Sequence, residues 1–216
     1  MGQPYRTIYG YDWKRDGSGN VLIDANGYPI MSDNESALGN VDPNWTMGVG
    51  SNLRWKDLSL YFLVDIKNGG KMWDGTRGAM DYFGTSAGTL NRGEYVTFTG
   101  VSETTGKVNT MSVPLTQAWY QGVGSGFVGC TAPYVEDAGW VRLRTVTVNY
   151  NLTKLVKKTF IRQLSVYFTG TNLLVYTKYK GIDPETSLAG SDNAQGIDYF
   201  NMPGTRSYTL GLTVSF

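Results

Sequence analysis

The predicted fold is all-β, with antiparallel up-and-down strands forming part of a transmembrane β-barrel with long extracellular loops. Three observations predict it: long runs that alternate apolar with small polar residues, connections that are short and long by turns, and aromatic residues near the run ends. A period of two sends successive side chains to opposite faces of a strand. Runs of about ten or more residues suit a tilted bilayer crossing rather than the five or six usual in soluble sheets.

A first strand is expected from about Tyr5 to Lys14, with Tyr5, Tyr9, Tyr11 and Trp13 on one face. Trp45, Met47, Val49, Leu53 and Trp55 alternate with Thr46, Gly48, Gly50, Asn52 and Arg54. Leu58, Leu60, Phe62, Val64 and Ile66 then alternate with Ser59, Tyr61, Leu63, Asp65 and Lys67. These two runs meet at Lys56-Asp57, the length of a tight hairpin turn. Val146, Val148, Tyr150 and Leu152 oppose Thr145, Thr147, Asn149 and Asn151; Leu164, Val166 and Phe168 oppose Ser165, Tyr167, Thr169 and Thr171; a basic link from Thr153 to Phe160 joins them. In the last run Tyr208, Leu210, Leu212, Val214 and Phe216 oppose Ser207, Thr209, Gly211, Thr213 and Ser215. The expectation is therefore about six strands.

The connections 15–44, 68 to about 137, and about 177–205 are long, whereas 56–57 and 153–160 are short. Alternate connections of an up-and-down sheet share an end, so all long loops project one way, as in outer-membrane barrels. Trp45, Trp55, Tyr150 and Tyr208 fall where interfacial aromatic girdles belong. The alternative is a soluble β-sandwich carbohydrate-binding module. In it Leu60, Val148, Val166 and Leu212 would interleave between two stacked sheets, and exposed aromatics would bind sugar.

Composition removes other classes. The chain has 216 residues with 19 Lys plus Arg against 18 Asp plus Glu, which argues against a nucleic-acid surface. It contains no His, so Ser-His-Asp and Cys-His catalysis and imidazole metal sites are closed to it; an enzyme is not expected, and no cofactor. Cys130 is the single cysteine and forms no internal disulfide. No run approaches the roughly 18 apolar residues of a transmembrane helix. Met-Gly-Gln-Pro-Tyr lacks the pattern of a signal peptide, so an export signal is expected upstream.

The segments GQPYRTIYGYDWKRDGSGN, LGNVDPNWTMGVGSNLRWKDLSLYFLVDIKNGGKMW, VEDAGWVRLRTVTVNYNL, LSVYFTGTNLLVYTKYKGIDPE and MPGTRSYTLGLTVSF, in this order, carry a resemblance. The chain resembles the C-terminal part of SusC/RagA-type TonB-dependent transporters of the Bacteroidetes, over essentially its whole length. The resemblance implies that residues 1–216 are the C-terminal portion of a larger barrel with the plug absent, a fragment or part of a larger assembly, since open strand edges cannot face lipid. It implies import of glycans or peptides across the cell outer membrane, contact with outer-membrane lipid, a SusD-like surface lipoprotein as lid, and the remainder of the barrel and plug as partners. TonB would act only through the missing N-terminal region. Tyr208, Leu210, Leu212, Val214 and Phe216 look like the signal read by the barrel-assembly machinery.

Other motifs are weaker. Gly84-Thr85-Ser86-Ala87-Gly88 fits a nucleophile elbow but lacks a His, and is expected to be a flexible loop. Gly124, Gly126 and Gly129 fit a dinucleotide fingerprint without a βαβ unit, and are expected to form a pliant loop. Asp183, Glu185, Asp192 and Asp198 offer paired carboxylates or calcium oxygens, with solvated loop acids the expected account. Asp16-Gly17-Ser18-Gly19-Asn20 reads as a turn. Lys154, Lys157, Lys158 and Arg162 read as a solvated or headgroup-facing patch at a short turn. For ligand or lid contact the candidates are Trp73, Tyr82, Phe83, Trp119, Tyr120, Tyr199 and Phe200, whose rings suit stacking on sugars or a lid, or packing of the loops against one another.

Overall fold

A computed structural model describes residues 2–190 and 194–216. The short elements before the first long strand are β1 (Thr7–Gly10), β2 (Leu22–Ile23) and β3 (Ser36–Asn40). The hairpin follows as β4 (Trp45–Trp55) and β5 (Leu58–Asn68), then β6 (Lys71–Asp74) and α1 (Gly75–Phe83). Next come β7 (Tyr95–Val96), β8 (Val101–Ser102), β9 (Val113–Pro114), α2 (Gln117–Gln121) and β10 (Val135–Asp137). The remaining strands are β11 (Trp140–Asn151), β12 (Gln163–Thr177), β13 (Ile197–Asp198) and β14 (Ser207–Ser215).

The long strands form one antiparallel sheet of five in the order β14-β12-β11-β5-β4. Its register lines apolar residues into rows. Leu53, Leu60, Val148, Phe168 and Leu210 lie side by side across the sheet, and Trp55, Leu58, Tyr150, Val166 and Leu212 form the next row. On this face Leu53 is 55 %, Leu212 62 % and Leu210 75 % exposed. A sandwich would bury these side chains; here they stand on the outer surface of a single layer, as the lipid-facing side chains of a barrel wall do. The opposite face carries rows such as Asn52, Tyr61, Thr147, Thr169 and Thr209, with the Thr147 and Thr169 hydroxyls 2.9 Å apart. An apolar outer face with a polar inner one is the pattern of a barrel wall.

Polarity of the connections follows the sheet. Lys56 closes the hairpin with φ 54°, a conformation tight turns demand and β-branched residues resist. Asp57 there accepts an ion pair from Lys154 in the neighbouring short connection. All long connections leave from the other end.

The strand expected over Tyr5 to Lys14 does not join the wall. Its strand is only Thr7–Gly10, which pairs with β3 in a separate two-stranded sheet, while Trp13 makes an isolated bridge to Met31. Beyond it the Tyr11 carbonyl accepts the amides of Thr131 and Ala132, and Trp13 stacks on Trp119 at 6.2 Å. The alternating aromatics of this stretch serve the packing of the loops rather than a lipid face. The wall therefore holds five strands among the described residues.

The long loops are themselves folded. β10, β6 and β13 make a three-stranded mixed sheet over which Met72, Ala138 and Tyr179 form a small core. The segment holding Gly124, Gly126 and Gly129 is not pliant: a side chain at Gly126 would stand 2.3 Å from the Tyr134 ring, and Ser125 is wholly buried. Nor is Gly84–Gly88 a free loop. Gly84 caps α1 in the left-handed region, and the Ser86 hydroxyl accepts the Gly88 amide to start a 3-10 turn. The turn at Asp16 forms as expected, its carboxylate accepting the amides of Ser18 and Asn20.

Candidate functional site at the loop end of the wall

Two arginines mark where the wall meets the loops. Alternation counted back from Val148 and Val146 would place Arg144 and Arg142 on the apolar face. A β-bulge prevents this: β11 slips register between Leu143 and Thr145, with Arg144 the extra residue against β5, while against β12 it faces two residues, Asn172 and Leu173. Leu143 stays outward beside Val64 and Leu174, while Arg142 aligns with Asp65 on the inner face. The slip in β12 spans Asn172, held at φ 53° with its side-chain oxygen on Arg144.

The inward arginines gather acids. Arg144 forks onto Glu185 through two nitrogens and donates to Asp65 at 2.7 Å. Arg142, only 4 % exposed, donates to Asp183 at 2.7 Å, and its Nε lies 3.2 Å from Glu185. Asp183 also accepts the amides of Glu185 and Gly204. Both guanidinium groups lie 5.5 Å from the Trp140 ring centre. These charge-assisted bonds pin the loop that follows β12 onto the wall.

A second polar cluster lies within the loops. Asp198, wholly buried, accepts hydrogen bonds from the Thr76 and Tyr179 hydroxyls at 2.7 Å each. Asp74, also wholly buried, caps α1 through the Arg77 amide, and Arg77 continues to Glu136. Burial pushes the Asp74 carboxyl up, against the pull of Arg77. The Tyr134 hydroxyl donates to Asp81 at 2.7 Å beneath the Arg77 guanidinium. The expectation of solvated loop acids is thus overturned for Asp183 and Asp198, which are buried and bonded, while Glu185 is held by arginine; Asp192 lies outside the described residues. Among the described residues no three acids or thiols converge as metal ligands would.

Burial, first, and then bonding to Asp198 and Asp81 hold the Tyr179 and Tyr134 phenols protonated beyond the ordinary value of 10.0. The unfolded chain therefore sheds these protons first as pH rises, and the loops lose stability above about pH 10. Tyrosinate absorbance of the intact protein should show a late step that coincides with loop melting and shrinks in Tyr134→Phe and Tyr179→Phe.

The aromatic candidates divide. Trp119 is covered by Trp13, by Tyr28 at 5.5 Å and by Phe98 at 4.8 Å, and Tyr120 is buried with its hydroxyl on Asn91. These two pack the loops. Trp73 stacks on Tyr199 at 6.1 Å, with its indole N–H unpartnered. Tyr82 meets Phe83 edge-on, and Phe200 stands against Tyr199. Phe83 at 65 % and Phe200 at 58 % exposed are the rings offered outward. Trp73 also lines a cavity of about 530 Å³ with Arg6, Phe127 and Gln195. Periodicity had no means of finding the arginine cluster, since strict alternation sends it to the wrong face.

No family model matches the chain. It is 26 % identical over its full length to TonB-dependent receptor P3 of Formosa agariphila, covering 22 % of that protein, and 32 % identical over 89 % of its length to TonB-dependent receptor P26 of the same organism, covering 19 %. TonB-dependent receptor SusC of Bacteroides thetaiotaomicron is 29 % identical over 38 % of the chain and 8 % of that protein. The chain thus spans about a fifth of the two longer matches. The solved RagAB peptide importer in its closed-closed state covers 97 % of the chain with a TM-score of 0.61 at 21 % identity, the match taking up 23 % of that chain. The open-open state gives 0.58, again over 97 %, and 22 % of that chain. With a single-layered wall, an outer row of apolar side chains and folded loops at one end, the chain is similar in sequence and in fold to a barrel segment of SusC/RagA-type TonB-dependent receptors.

Proposed function

We propose that the chain is the C-terminal portion of an outer-membrane nutrient importer, supplying barrel wall, extracellular vestibule and assembly signal. The observation that carries this reading is the wall itself, apolar on the uncovered side and polar on the other. Relatives named as receptors, and neighbours named as importers, support transport rather than bond-making chemistry. The nutrient is a glycan or a peptide; the latter is what the RagAB neighbour carries. Outer-membrane lipid meets the apolar rows, and β4 and β14 pair with the remainder of the barrel around a plug that lies elsewhere in the protein. TonB engages through that other region.

A SusD-like surface lipoprotein closes over the loops, meeting the outward rings of Phe83 and Phe200 and the stacked pair Trp73 and Tyr199, while Tyr82 supports Phe83 from behind. Tyr208, Leu210, Leu212, Val214 and Phe216 present the signal for insertion. Cells making the intact protein should yield it in the outer-membrane fraction. A cysteine introduced at Leu90, 81 % exposed on a loop, should react with an impermeant maleimide on whole cells. Labelling only after the cells are broken would reverse the assigned orientation.

A further inference from the structure

We propose that the segment Gly84–Gly88 frames a subsite for a primary ammonium group carried on a small apolar body. Asp81, in the last turn of α1, is 7 % exposed, and its two carboxylate oxygens differ. Oδ2 accepts the Tyr134 hydroxyl, whereas Oδ1 is buried without a partner. A buried carboxylate oxygen left unpaired is costly, so a donor belongs there.

Space for one exists. Asp81, Ser86 and Gly88 line a cavity of about 510 Å³ together with Met80, Ala87 and Ile182. A methyl added at Gly88 would stand 3.2 Å from Oδ1, so a side chain there would crowd this oxygen at the cavity's edge. The negative end of α1 and the carboxylate together favour a cation. Of the cations that line the cavity, Arg77 is held by Asp74 and Glu136, and Lys180 is drawn to Glu136 at 3.9 Å. Met80, Ala87 and Ile182 give the walls an apolar character that suits an aliphatic group beside the ammonium. The amino-terminal residue of a peptide has this chemistry. A motif resembling a nucleophile elbow thus serves to hold a turn open in front of an acid.

For the source of the ligand this inference rests on the import reading. Calorimetry on the intact transporter in detergent, with leucinamide and N-acetylleucinamide as probes, tests the site directly. Leucinamide should bind and its acetylated form should not. Asp81→Asn and, separately, Gly88→Ala should each weaken leucinamide binding about tenfold or more. The late ionisation of Tyr179, whose hydroxyl is held by Asp198 and not by Asp81, reports that the folded loops have survived in each variant. Equal binding of both probes, no binding of either, or indifference to both substitutions in folded variants would overturn the site. Cell uptake then separates the two readings. Entry of a free oligopeptide but not its N-acetyl form supports both, entry of both forms sinks the ammonium site and leaves import standing, and entry of neither defeats peptide import, with calorimetry still deciding the site.

Discussion

Replacing Arg142 by alanine should destabilise the loop end of the barrel by about 3–5 kcal/mol, the loss typical when one member of a buried ion pair is removed. Arg142 and Asp183 are both shielded from water, with side chains 5 % and 9 % exposed. Without the guanidinium, Asp183 keeps only amide donors and the loop after β12 loses its buried tie to the wall. Urea unfolding of the protein, followed by tryptophan fluorescence, measures the effect. Adding Asp183→Ala should restore part of the loss, because the stranded charge goes with it. A single-variant loss below about 1 kcal/mol would reduce this pair to the rank of a surface salt bridge.

Val148→Arg should cost about 2–4 kcal/mol if the site lies near the bilayer midplane, and Thr147→Arg much less. The two residues are neighbours on one strand, yet Val148 lies between Leu60 and Phe168 on the lipid side while Thr147 lies between Tyr61 and Thr169 on the inner side. Side-chain size and charge are the same in both variants, so the difference isolates the environment. Refolding yield into lipid vesicles and the temperature at which the folded barrel loses its gel mobility give the comparison. Similar losses at both positions would mean that the two faces see the same medium.

These two positions also mark what could be read in advance. Val148 and Thr147 fall on their proper faces by simple alternation, as do all of β4, β5 and β14, because a wall between lipid and a polar interior imposes a period of two. The stretch around Tyr9 and Trp13 alternates too and is no wall strand. Aromatic rings packing on one another generate the same spacing, and only contacts distant in sequence, such as Trp13 with Trp119, tell the cases apart.

The candidate site was less legible. Trp73, Tyr199 and Phe200 do meet, and Tyr82 meets Phe83, as aromatic residues in nearby loops should. Trp119 and Tyr120 were equally aromatic, and they pack within the loops, Tyr120 buried and Trp119 half-buried. Loop acids expected in water are buried, since Asp198 finds its hydroxyl donors 122 and 19 residues away.

By itself the sequence determined the hairpin, the two-faced strands and the end at which the long loops lie, and it carried the likeness to TonB-dependent receptors. Tertiary structure alone decided where Arg142 and Arg144 point. A bulge is one inserted residue with no side-chain signature, and it forms here because two guanidinium groups on a hydrocarbon face would be far less stable than the same groups turned inward onto Asp65, Asp183 and Glu185.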